Sequence, residues 1–252
     1  MNILGNPIIR IPTIGVFLIL LTLLGTSFIS PSFHTPAKVV INPYNQSLGS
    51  ESYGDVVKEG PYGNTSSPVK IAVIVGVHPW EVYSHVMAIK SIRYSTKSFK
   101  YCYYIYRVNV YNGVDSDYET GRMEGQLLAS KYVVSDIKNQ NYSFAIDIHS
   151  NKGSKDYYDV DWFLNVPTDD SQSTKLASEI ESKVPGLASY DPPDATSPQY
   201  VTIPIINSGI PAVIYESYEY DPTGLEQSRM DQVLKAVDKL PLSLKYPVEK
   251  LA

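Results

Sequence analysis

Between residues 69 and 240, short apolar runs alternate with segments of helical spacing, and this alternation narrows the possible folds most. VKIAVIVGV (69–77) is almost continuously apolar, as a strand must be when both faces of a parallel sheet are covered. WEVYSHVMAIKSI (80–92) follows, with Val82, Val86 and Ile89 on one helical side. YCYYIYRVNVY (101–111) is β-rich by residue type, GQLLASKYVVSDI (125–137) reads as helix and SFAIDIHS (143–150) as a core strand. VDWFLNV (160–166) predicts a strand, and SQSTKLASEIESKV (171–184) a helix opened by a serine cap. PAVIYES (211–217) predicts a strand and GLEQSRMDQVLKAVDKL (224–240) a closing amphipathic helix. The pattern predicts an α/β fold, a three-layer sandwich around a mostly parallel, mixed sheet.

Upstream lies IPTIGVFLILLTLLGTSFIS (11–30), uncharged and long enough as a helix to cross a hydrocarbon core of ~30 Å. Arg10 precedes it, so residues 1–30 read as a signal peptide or membrane anchor. No A-x-A cleavage site follows, which favours an uncleaved anchor with the rest of the chain facing outside the cytoplasm; cleavage would make it secreted. Residues 31–67 are rich in Pro, Gly, Ser, Asn and Tyr and lack a sustained period, which predicts a flexible linker before a domain spanning 68–252. Asn45, Asn64 and Asn141 each begin an N-x-[ST] sequon, compatible with export. At 252 residues and 43% hydrophobic, the chain suits one globular domain beyond the linker. Its net charge of −5 gives no basic footprint for nucleic acid, and its single cysteine, Cys102, forms no internal disulfide.

In open α/β sheets, ligands bind outside the carboxyl ends of the strands. His78 stands at the end of the first apolar run, and Pro79 is suited to start the next helix, which puts Glu81 in that helix's first turn. AIDIHS ends a second apolar run in His149, and AVIYE ends a third in Glu216. Two imidazoles and one carboxylate leave a fourth position open, the ligand count of a catalytic zinc site. Asp147 shares the strand face of His149 and is placed to support it from behind. A carboxylate at 216 that is not a ligand is available for proton transfer. A lone H-x-x-E is usually a surface turn, and a lone strand-end histidine usually structural; three such groups ending three separate apolar runs favour a metal. His85, four residues beyond Glu81, reads as a helix-face histidine with a local hydrogen bond.

GVHPWE, DIHS and NSGIPAVIYES together resemble the zinc carboxypeptidase superfamily, in particular its succinylglutamate desuccinylase/aspartoacylase-like branch. The resemblance spans about residues 69–240 and is specific in those three short blocks. It implies one zinc ion on His78, Glu81 and His149, Glu216 as general base and acid, and hydrolysis of an amide bond beside a free carboxylate. In the less similar block DSDYETGRMEGQLL (115–128), Arg122 aligns with the arginine that clamps the substrate carboxylate, while Gly121 replaces the usual asparagine. The further arginine that many members place a few residues earlier is absent between Asn112 and Gly121, and Arg107 is the candidate substitute for substrate binding. The expected activity is that of a membrane-tethered carboxypeptidase trimming peptides outside the cytoplasm, with cell-wall peptides as candidates. The alternatives are an N-acyl amino acid deacylase and a non-catalytic module that keeps zinc and binds peptide.

Overall fold

The computed structural model describes residues 42–243 except 96, 114, 116, 157, 194 and 195, so the apolar stretch 11–30 lies outside the described residues. Among the described residues, no helix is long and apolar enough to cross a membrane. The strands are β1 (Tyr44–Glu51), β2 (Gly54–Gly63), β3 (Lys70–Val75), β4 (Cys102–Val110), β5 (Phe144–Asn151), β6 (Phe163–Asn165), β7 (Ala188–Ser189) and β8 (Ala212–Tyr218). They form one sheet in the order β1-β2-β4-β3-β5-β8-β6-β7. The central four, β4-β3-β5-β8, are parallel, with β2 and β6 joining antiparallel on either side, so the sheet is mixed as expected.

Side-chain alternation along the central strands divides the core into two layers. Ile71, Val73 and Val75 of β3 and Ile146 and Ile148 of β5 meet α1 (Val82–Ser95), α4 (Ser171–Glu181) and α7 (Thr223–Asp238) through Met87, Ile92, Ile180, Val233 and Val237. Ala72 and Ile74 face the other way. They pack against a long helical segment, composed of α2 (Tyr118–Leu128), a π turn (Ala129–Val134) and α3 (Ser135–Asn139), and against the short helices α5 (Ser197–Tyr200) and α6 (Thr202–Asn207). Helices on both faces explain why β3 lacks the polar alternation of a half-exposed strand.

One expectation is overturned. The segment read as linker contains β1 and β2, so the ordered domain begins well before residue 68. Its composition resembles a loop because β2 buries charge beside its apolar Val56. Lys58 Nζ lies 2.8 Å from Asp136 Oδ2, and Arg93 donates two 2.8 Å hydrogen bonds to the carboxylate of Glu59. Lys58 and Glu59 are both buried, and burial of charge is sustained only by such pairing.

Candidate metal centre and active site

β3 is followed directly by Gly76, whose φ of 88° lies in the left-handed region that glycine tolerates best. A methyl group there would sit 2.1 Å from the Val108 carbonyl oxygen, so only glycine lets the chain leave the sheet this close to β4. The departing chain turns back on itself, the Glu81 N–H donating to the His78 carbonyl at 3.1 Å. Glu81 therefore stands immediately before α1 rather than in its first turn, and Pro79 lies in the turn rather than at the start of the helix. His149 and Glu216 are partners in the parallel β5–β8 register, so their side chains leave the same face of the sheet.

These elements bring the three expected ligands together. His78 Nδ1 lies 2.7 Å from Glu81 Oε1 and 3.1 Å from His149 Nδ1, and His149 Nδ1 lies 2.9 Å from Glu81 Oε2. All three residues are buried, and one ligand atom from each falls within 4.8 Å of the others. Two imidazole nitrogens and a carboxylate converging on one point can hold a metal ion, and the donor set suits a borderline-soft divalent cation. The far side of each ring is also held. Asp147 Oδ1 is 3.2 Å from His149 Nε2, close enough for charge stabilisation although not aligned as a hydrogen bond. The other Asp147 oxygen accepts from Thr202 Oγ1 at 3.2 Å. Behind His78, Gln126 Nε2 lies 3.1 Å from Nε2 of the ring.

The electrostatics match a site waiting for positive charge. Burial pushes His78 down to about 4, so it is neutral at physiological pH. Burial opposes charge on His149 and Glu81 as well, but the Asp147 and Glu81 carboxylates raise His149 well above the ordinary imidazole range. His78 and His149 in turn hold Glu81 well below the carboxylate range. One proton on His149 thus offsets the Glu81 charge, and metal binding to such a site releases protons. Burial pushes Glu216 up to about 8; His149 acts to lower it and Glu81 to raise it further. Its nearest hydrogen-bond partner is Asn151 Nδ2 at 3.5 Å.

Arg122, on α2, is brought to the rim as expected: Nη1 donates to Glu81 Oε1 at 3.4 Å and to the Tyr118 hydroxyl at 3.1 Å. Arg107 is not brought there. Its Nε lies 3.5 Å from Glu59 Oε2, in the ion-pair cluster between β2, β4 and α1. His85 is buried with Nε2 unpartnered and is not among the three converging donors. Four residues near the site carried no signal on their own: Gln126, Asn151, Tyr118 and Thr202. The spacing of Gln126 four residues after Arg122, on one helix face, was the only available pointer to it.

No protein-family model matches the sequence, and no curated protein matches it. Solved structures do. A metallo-carboxypeptidase from Burkholderia cenocepacia superimposes with a TM-score of 0.52 at 11% identity, over 80% of this chain and 65% of its own. The cell shape determinant protein Csd4 from Helicobacter pylori superimposes with a TM-score of 0.50 in its apo form, at 10% identity over 77% of this chain and 56% of its own. Its tripeptide-bound form gives the same TM-score at 12% identity, over 77% and 57%. The chain therefore has the fold of metallo-carboxypeptidases, and it spans between about half and two thirds of the length of these structures.

Proposed function

We propose that this protein is a zinc-dependent hydrolase that cleaves an amide bond beside a free carboxylate, acting as a carboxypeptidase on peptides. One observation carries the reading: His78, Glu81 and His149 converge at the carboxyl ends of the parallel strands, with Glu216 and Arg122 next to them. His78, Glu81 and His149 would hold the ion, which when bound supplies Lewis acidity, polarising a carbonyl and lowering the pKa of water. Glu216 takes the proton from water and returns it to the leaving amine. Burial, with the Glu81 charge adding to it, pushes Glu216 up to about 8; a cation held by the cluster would offset that charge and favour the ionised form that acts as a base. Arg122 binds the substrate's terminal carboxylate, for which the guanidinium fork is suited. A structurally similar protein described as a cell shape determinant has been solved with a bound tripeptide, which favours a peptide substrate, cell-wall peptides among them.

The clamp is tested on matched peptides ending in a free acid or an amide. Charge-assisted hydrogen bonds contribute roughly 1.5–3 kcal/mol. Arg122→Ala is accordingly expected to raise KM for free-acid peptides roughly 10–100-fold, with little change for amidated ones. Equal losses on both would refute the clamp.

The apolar stretch 11–30 extends the proposal to place: a membrane-tethered enzyme facing outside the cytoplasm. Full-length protein is expected to sediment with membranes and to resist extraction by high salt, whereas a chain beginning at Ser32 is soluble. Recovery of intact full-length protein in the soluble fraction would rule the anchor out.

A further inference from the structure

Asn151 closes β5 and is 2% exposed, a deep position for an uncharged amide. It stands two residues beyond His149, so its side chain leaves the sheet on the face that carries His149 and Glu216. Backbone groups engage the amide at both ends. Oδ1 accepts from the Gly153 N–H at 2.9 Å, and Nδ2 donates to the Asp161 carbonyl at 3.1 Å and the Ser217 carbonyl at 3.2 Å. A backbone N–H only donates and a carbonyl only accepts, so these three partners fix which end of the amide is which. The Asn151 carbonyl accepts in turn from the Glu219 N–H at 2.8 Å. One residue thereby ties the end of β5 to the end of β8 and to Gly153 and Asp161 in the segment that follows.

The same Nδ2 lies 3.5 Å from Glu216 Oε2. With two hydrogens and three acceptors in reach, it can share one hydrogen between the Ser217 carbonyl and the carboxylate. Pinned by backbone, the amide cannot turn to offer Glu216 a shorter bond. A short bond would stabilise the ionised carboxylate and weaken it as a base, whereas a long one from a fixed donor restrains the side chain at little cost. The substrate clamp is anchored elsewhere. Arg122 sits on α2, where a methyl group at Gly125 would lie 2.0 Å from the Val77 carbonyl oxygen, so this helix rests on the chain that carries His78.

We propose that Asn151 is a positioning residue for Glu216: it restrains the carboxylate through an amide whose own place is set by the ends of β5 and β8. This rests on the reading of Glu216 as the base. Without the amide, the carboxylate keeps its charge but loses its fixed place, and a misplacement of about 1 Å can cost roughly 10²-fold in rate. Substrate binding through Arg122 is untouched, so the loss falls on kcat and not on KM.

The test is a double-mutant cycle on the full chain, read with the free-acid peptide of the matched pair. Wild type, Asn151→Ala, Glu216→Gln and the double variant are compared, each with its zinc content measured. Asn151→Ala is expected to lower kcat roughly 10–100-fold, with KM and zinc content unchanged. In the Glu216→Gln background the same substitution should cost little, whereas general damage to the site would lower both backgrounds alike. Nitrogen-15 spectra of the Asn151 side chain, recorded without metal for wild type and Glu216→Gln, decide the contact even if Asn151→Ala fails to fold. One amide proton should move upfield when the carboxylate is replaced. Equal losses in the two backgrounds, a rate loss that tracks zinc content, a loss confined to KM, or amide signals that coincide in the two proteins would each overturn the proposal. Full rate in Glu216→Gln, or a wild type that cleaves no peptide, would instead overturn the reading of Glu216 beneath it.

Discussion

Glu216→Gln is expected to slow hydrolysis by roughly 10²–10⁴-fold, the usual contribution of a positioned general acid–base, while zinc content stays at the wild-type level. The two halves of this expectation have separate physical causes. Glutamine keeps the size of the side chain and an oxygen that can still accept from Asn151 Nδ2, now 3.5 Å from Glu216 Oε2. It removes the carboxylate that moves protons. Glu216 is not one of the three converging donors, so metal affinity is unaffected. Stability should not fall either, because burial of an ionised carboxylate is unfavourable, as its raised pKa shows. Rates on a peptide panel with parallel metal analysis provide the check. Full activity in Glu216→Gln would remove the proposed base. A wild type that binds free-acid peptides and cleaves none would identify a zinc-holding binding module instead.

His149→Ala is expected to abolish both stoichiometric zinc and turnover, a larger effect than the roughly 10–100-fold typical of outer-shell changes. His149 Nδ1 contacts both other ligands, at 3.1 Å and 2.9 Å, so its loss opens the convergence point on two sides. It also leaves Asp147, 1% exposed, without the imidazole that offsets its charge. His85→Ala is the control: the residue is close in sequence and equally deep, yet zinc content should be unchanged. Loss of zinc in His85→Ala with retention in His149→Ala would reverse the ligand assignment.

The parts of the site that were legible in sequence are those where apolar strands end in polar groups. β3, β5 and β8 are buried on both faces, so their runs are unbroken and His78, His149 and Glu216 stand out against them. β1 and β2 were illegible for the converse reason. They join the sheet with exposed or ion-paired side chains, and a Lys58 or Glu59 buried by pairing has the same letters as one in a loop. The assignment of Arg107 failed with them, since its partner Glu59 lies in the segment read as linker. Gln126 was missed because an uncharged amide in a helix has no ligand signature. The helix itself was placed only in part: Leu128 and Val133 are five residues apart, a spacing set by the π turn rather than by an α-helical period.

Gly125 costs the middle of α2 about 0.5–1 kcal/mol relative to alanine, and what it secures is a shared datum. Arg122, three residues before it, and Gln126, directly after it, are both measured from the same point of backbone contact at Val77. Any redesign that lifts this helix moves the clamp and the support of His78 in concert. Changes at the rim are therefore best made at exposed side chains that do not hold Arg122, such as Trp80, with Gly76 and Gly125 kept as fixed reference points.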